Sequence, residues 1–263
     1  MAATVPLLSC KGISKHFGAL AAINNLTFDV HAGDVLGIGG PNGAGKTTLF
    51  EVISGLSPAT SGTVVFDGKD ITQASPEAVC HVGIARTFQL NASFETLSVR
   101  DNVCVAAYFG RQNRRYPGLR LGSDVEEQAV MALASVGLQG KDHMIAGDLP
   151  VLDRKLLMLA GALATQPKLL LMDEPVGGLS PGEIDHMMEA VRNIAATGVT
   201  VILIEHVMRF LVQLSTRVMI MHHGERIYEG SPQGLTKDRT VVDVYLGEGA
   251  SQRLNAFMET SAS

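Results

Sequence analysis

The stretch Gly40-Pro41-Asn42-Gly43-Ala44-Gly45-Lys46-Thr47-Thr48 limits what this chain can fold into more than any other. It fits the pattern Gly, four residues, Gly-Lys-Ser/Thr, which describes a loop that cradles phosphate. Small residues let successive backbone N–H groups converge on one anion. The helix that follows adds N–H groups of its own and the positive end of its dipole. Lys46 has the reach for β- and γ-phosphates, and the Thr47 hydroxyl suits Mg²⁺. Ordinary Gly-rich turns share this composition, so context has to decide. Val35-Leu36-Gly37-Ile38 reads as a strand before the loop, and Leu49-Phe50-Glu51-Val52-Ile53 reads as a helix behind it. Strand, loop, helix is the order the motif requires.

The rest of the chain must bury that unit. Its 263 residues suffice for one large or two small domains, and 46 % of them are apolar, which excludes global disorder. The net charge is −5 with no long run of either sign, which argues against a nucleic-acid surface. No apolar run approaches the roughly 18 residues of a membrane helix, so any membrane role runs through a partner. Cys10, Cys80 and Cys104 are scattered and odd in number, which suits a reducing compartment. Leu7-Leu8-Ser9-Cys10 faintly resembles a lipoprotein cleavage site. No basic residue lies in Met1 to Pro6, however, and the stretch reads as an opening strand.

Residues 5–38 read mainly as strands. Leu26, Phe28 and Val30 alternate with Thr27 and Asp29, the period of a half-buried strand. Asp67-Gly68 after Thr63-Val64-Val65-Phe66 signals a hairpin. Helices dominate residues 90–165, with capping boxes expected at Ser98 to Asp101 and at Ser123 to Glu126. Arg111, Arg114, Arg115 and Arg120 fall between them in an irregular stretch that reads as a solvated connection. The last third alternates: strand Leu169 to Met172, helix Glu183 to Ala196, strand Val199 to Ile204, helix 206–214 and strand Val218 to Met221. Alternation of this kind implies a parallel sheet covered on both faces. The Ala- and Ser-rich tail from Gly249 is expected to fray.

Four further positions carry chemistry. Asp173 closes the apolar strand Leu169 to Met172, at the carboxyl end where open α/β sheets place their ligands. Beside a phosphate loop it becomes a Mg²⁺ partner, through water. Glu174, one residue on, becomes a general base for the attacking water. His206 ends the next parallel strand and becomes a hydrogen-bonding partner for the γ-phosphate. Gln89 stands at the entrance to the helical insert, where it would touch the metal and its water shell. Spacing leaves Phe17 open between core packing and stacking on adenine. His222-His223 ahead of Gly224 reads as a turn.

Taken together, the phosphate loop, Gln89, Asp173-Glu174 and His206 resemble the ATP-binding cassette of ABC transporters over roughly residues 5–248. Three segments narrow the likeness to the ATP-binding subunits of branched-chain amino-acid importers, a subgroup that also serves amide-like solutes. They are Gly83 to Gln89, Asp173 to Pro181 and Val244-Tyr245-Leu246-Gly247. The resemblance implies an α/β phosphate-loop NTPase with a mainly parallel core, an antiparallel β subdomain and a helical subdomain at about 90–165. It implies ATP and Mg²⁺ as cofactors. It makes Phe17 the adenine-stacking residue, Gln89 the coupling glutamine, Glu174 the catalytic carboxylate and His206 the switch histidine. Its implied partners are a second cassette, two membrane permease subunits and, indirectly, a solute-binding protein. The implied location is the cytoplasmic face of the membrane, held there peripherally.

One segment departs from the family. The usual signature, Leu-Ser-Gly-Gly-Gln or a Leu-Pro-Tyr-Gly variant, is here Leu149-Pro150-Val151-Leu152-Asp153-Arg154-Lys155. Pro150 offers neither hydroxyl nor N–H. Leu152 puts a side chain where glycine lets backbone approach phosphate. Asp153 is expected to add a like charge there, offset in part by Arg154 and Lys155, and Ser180 replaces an Asp or Asn. A heterodimer with a cassette of intact signature is the expectation. A non-transport ATPase of the same fold and a regulatory subunit that binds ATP with little hydrolysis remain as alternatives.

Overall fold

The computed structural model describes residues 5–88, 93–110 and 122–247, and residues 249, 251, 252, 254, 256 and 258 beyond them. In chain order the elements are β1 (Leu8–Phe17), β2 (Leu20–Val30), β3 (Val35–Gly39), α1 (Lys46–Ile53), β4 (Ser61–Phe66) and β5 (Lys69–Asp70). Next come α2 (Pro76–Val82), β6 (Ile84–Thr87), α3 (Val99–Phe109), α4 (Ser123–Ser135), α5 (Val151–Ala164), β7 (Leu169–Asp173) and α6 (Pro181–Ala196). The chain continues with β8 (Thr200–Ile204), α7 (Met208–Leu214), β9 (Arg217–His222) and β10 (Glu225–Gly230). A short α8 (Arg239–Val241) runs on into a π-helical turn, Val242–Leu246. The chain divides into two compact units, residues 1–74 with 200–263 and residues 75–199.

The first unit holds two sets of strands. Strands β2, β1, β4 and β5 form an antiparallel sheet in that order. Cys10 sits fully buried in β1, opposite Phe28 and Val64, as an opening strand requires. Burial pushes its thiol well above the usual range, which leaves it inert. The second set runs β10-β9-β3-β8, with β3 parallel to both neighbours and β10 antiparallel to β9. Strand β3 is buried on both faces, which explains its unbroken apolar run. Both expected hairpin turns form, with Asp67-Gly68 at φ 48° and 74° and His223-Gly224 at φ 48° and 79°. Left-handed pairs of this kind match the twist of the flanking strands.

The second unit packs α3, α4 and α5 on one another and pairs β6 with β7 in parallel. Each helix buries one stripe, such as Val99, Val103 and Ala107 on α3 and Leu156, Leu159, Ala160 and Ala164 on α5. Ser98 caps α3 as expected, accepting from the Asp101 amide at 3.0 Å. The second expected cap is displaced: Gly122 is the N-cap of α4 and Ser123 is already its first helical residue. Helix α6 begins at Pro181, because the Glu183 carboxylate accepts from the Ser180 amide at 2.8 Å and proline suits the first helical position. Helix α2 and strand β6 were not legible in the sequence. Beyond Gly247 the described residues are helical, and Ser251 and Leu254 are buried where composition suggests fraying. Arg111, Arg114, Arg115 and Arg120 lie outside the described residues. Among the described residues no helix is long and apolar enough to cross a membrane.

Candidate functional site

In the first unit, β3 delivers the chain into the loop Gly40 to Gly45, and α1 starts at Lys46. Two glycines make the loop possible. At Gly40, φ is 142° and a Cβ would stand 2.2 Å from the Met221 carbonyl oxygen. At Gly45, φ is 97° and a Cβ would stand 2.2 Å from the Ala22 carbonyl oxygen. Asn42, Gly43 and Thr47 are exposed, Pro41 and Thr48 are half-buried, and Ala44 is buried with its amide on the Pro41 carbonyl at 3.2 Å. Lys46 is only 6 % exposed and its Nζ donates to the Gly40 and Pro41 carbonyls at 2.7 and 2.9 Å. The cation is thus held inside the loop. Gly45→Ala is expected to lower stability by about 1–3 kcal/mol. Gly43→Ala, with open space at the Cβ, costs only the left-handed penalty of about 1 kcal/mol. Thermal unfolding of the two variants checks the difference.

The same unit carries Phe17, His206 and Tyr245. Phe17 is 50 % exposed at the end of β1, with Lys15 Nζ 5.1 Å from its ring centroid. That removes the core-packing alternative. His206 is exposed and follows Glu205, whose side chain is the less visible half of the pair. Glu205 is 2 % exposed and its Oε2 accepts from the amides of His206 and Val207 at 2.9 and 3.1 Å. Its own amide donates to the Ile38 carbonyl at 3.3 Å, which ties the histidine turn to β3. Tyr245 packs beside the loop: a Cβ on Gly39 would lie 3.2 Å from its ring. Burial pushes the Tyr245 phenol upward, while the Gly40 amide acts against that shift. Neither Glu205 nor the buttressing by Tyr245 was visible in the sequence, because each depends on a strand or loop far away along the chain.

In the second unit, β7 ends on Asp173, 5 % exposed, whose Oδ2 accepts from Arg86 Nη2 at 2.9 Å. Glu174 follows at φ 47°, left-handed geometry that is uncommon for a residue with a Cβ. Pro175 comes next and disfavours the right-handed helical alternative. Gln89 lies outside the described residues. At the divergent signature, Pro150 is the N-cap of α5 and makes no side-chain cap. Val151 is 54 % exposed and Leu152 is half-buried. Asp153 corrects the expectation drawn from its charge: it is 8 % exposed and paired to Lys141 Nζ at 2.5 Å. Arg154 does not offset it either. Its Nε donates to the Leu149 carbonyl at 2.8 Å, its Nη2 donates to the Gly147 carbonyl, and Nη1 lies 3.8 Å from Glu95. Lys155 lines a small cavity with Thr87, Phe88, Asp173 and Pro175.

Among the described residues no cluster of three or more His, Cys, Asp or Glu could hold a metal ion. A Mg²⁺ ion needs none, because it keeps several waters and takes one or two carboxylates plus phosphate oxygens. Thr47 in the first unit and Asp173 in the second each offer a hard oxygen donor of the kind that ion takes. The loop fits phosphate, since Gly40 and Gly45 have no room for a side chain and a turn of small residues is the kind of backbone that can aim N–H groups at an anion.

The family description "ABC transporter" matches residues 23–177. This chain belongs to the ABC transporter family. Among the curated relatives of this cassette is the high-affinity branched-chain amino acid transport ATP-binding protein LivG of Escherichia coli K12. It is 31 % identical over 253 residues, spanning 92 % of this chain and 98 % of the relative. A probable LivG of Methanocaldococcus jannaschii is 32 % identical over 254 residues, spanning 93 % and 99 %. The cassette also superposes on a nucleotide-free ATP-binding cassette from an ABC transporter, with TM-score 0.83 and 31 % identity over 93 % of this chain and all of that one. An ADP conformation of an ABC transporter cassette matches with TM-score 0.83 and 32 % identity over the same shares. The expected fold, a phosphate-loop cassette with parallel core strands, an antiparallel sheet and a helical part, is the fold these proteins share.

Proposed function

We propose that this cassette is the ATP-hydrolysing subunit of an ABC importer for branched-chain amino acids or related amide-like solutes. The observation that carries the reading is the loop Gly40 to Thr48, with Lys46 buried inside it and Gly40 and Gly45 in turns closed to other residues. Near end-to-end likeness to branched-chain amino acid transport subunits supports the cargo class.

The reading assigns ATP phosphates to Gly40, Pro41, Asn42, Gly43, Ala44, Gly45, Lys46, Thr47 and Thr48, and adenine to exposed Phe17. Thr47, Asp173 and Gln89 hold Mg²⁺ when nucleotide is bound, and the ion supplies charge neutralisation at the β- and γ-phosphates. Glu174 takes the proton of the attacking water, and His206 donates to the γ-phosphate. A second cassette completes the hydrolytic unit. Two permease subunits hold it to the cytoplasmic face of the membrane, and a solute-binding protein delivers cargo to them.

Binding of ATP to the purified chain with Mg²⁺, followed by calorimetry, tests this. Lys46→Ala is expected to weaken affinity by about 10- to 100-fold, the value of one charge-assisted hydrogen bond. Absence of any ATP affinity in the unaltered chain sinks the proposal. A second reading, a regulatory cassette that binds ATP and scarcely cleaves it, draws on Pro150 and Leu152 in the signature. Retained binding without turnover, even beside an intact partner cassette and permeases, would favour it.

A further inference from the structure

We propose that Arg86 is the positioning residue of the Asp173 carboxylate and ties the end of β7 to the strand that leads toward Gln89. The inference rests on the reading of Asp173 as a Mg²⁺ partner. Strands β6 and β7 run parallel, with Arg86 beside Leu171 and Thr87 beside Met172. Side chains alternate along a strand, so Leu171 and Asp173 share a face, and the register puts Arg86 on it. The guanidinium therefore reaches diagonally forward to the carboxylate, Nη2 to Oδ2 at 2.9 Å. Both side chains are shielded, at 8 % and 5 % exposure. The Phe88 ring centroid lies 5.1 Å from the guanidinium carbon, stacking one more residue of the same segment on the cation.

Three physical consequences follow. A shielded carboxylate that loses its cation becomes an uncompensated buried charge, so the pair fixes both side chains. A planar fork sets direction as well as charge, which a lysine ammonium does not. Loss of a group that orients a metal ligand costs about 10- to 100-fold in metal affinity. Arg86 touches no reacting atom in this role and acts through Asp173.

The test compares ATP affinity in Mg²⁺ and in EDTA for the unaltered chain, Arg86→Met and Arg86→Lys, with nucleotide-free thermal unfolding alongside. The Mg²⁺ enhancement of affinity is expected to fall about 10-fold in Arg86→Met, with affinity in EDTA unchanged. Arg86→Lys is expected to keep part of the enhancement. Equal losses with and without Mg²⁺, accompanied by a lower Tm, mark a merely structural role and overturn the proposal. If Arg86→Met does not fold, Arg86→Lys decides alone, and an enhancement equal to that of the unaltered chain overturns it. An unaltered chain that binds ATP with no response to Mg²⁺ removes the metal role of Asp173 and this proposal with it. One that responds while the variants respond equally removes Arg86 only.

Discussion

Glu174→Gln is expected to leave Mg²⁺-ATP binding in place and to slow hydrolysis by about 10²- to 10⁴-fold, the range for losing a general base. The substitution keeps the shape of the side chain and the left-handed backbone at φ 47°. It removes only the carboxylate that would accept a proton. Local strain persists where surrounding structure over-determines it, and here buried Asp173 precedes the residue and buried Pro175 follows it. A binding titration beside single-turnover hydrolysis separates the two effects. Unchanged turnover would take Glu174 out of the role of base. Lost binding would mean that the residue shapes the site instead.

The purified chain alone is expected to turn ATP over slowly and to gain about 10²-fold or more when mixed with a cassette carrying an intact signature. Removal of one donor from a preorganised oxyanion site costs on that order, and this signature lacks more than one. Pro150 has no N–H, Leu152 occupies a glycine position, and Arg154 is engaged with the Gly147 and Leu149 carbonyls and Glu95. Lys141 neutralises Asp153, so the defect is steric and one of missing donors rather than a surplus of negative charge. Restoring the glycine, Leu152→Gly, should therefore raise turnover of the lone chain, whereas Asp153→Asn should not. Fast hydrolysis by the unaltered chain on its own would count against the mixed assembly.

The parts of this protein legible in the sequence are those whose physics is local. The phosphate loop is a pattern of nine consecutive residues behind an apolar strand and legible by itself, although the Ala22 and Met221 carbonyls that close its glycine turns are not. Asp173 was legible for the same reason, as the charge that ends a doubly buried strand. Arg86 was not: β6 has only four residues, and its partner lies 87 positions along the chain. The pairing of Lys141 with Asp153 bridges a loop, so charge counted along the sequence put Asp153 on the wrong partner. The cap of α4 moved by one residue because Gly122 adopts the extended geometry that Ser123 was expected to supply. Phe17 needed only its exposure, which two-residue periodicity cannot give at a strand end.

Strand β3 finds its hydrogen-bonding neighbours, β8 and β9, about 160 residues or more further along the chain. During synthesis at about 5–20 residues per second, that interval is on the order of 10–30 s. Through it an apolar ribbon waits with both edges bare. Pairings at such separations form slowly and leave the nascent chain open to self-association. The nucleotide loop is therefore made well before the strands that pair with β3 and among the last parts to take shape, which favours expression at low temperature or with chaperones at hand.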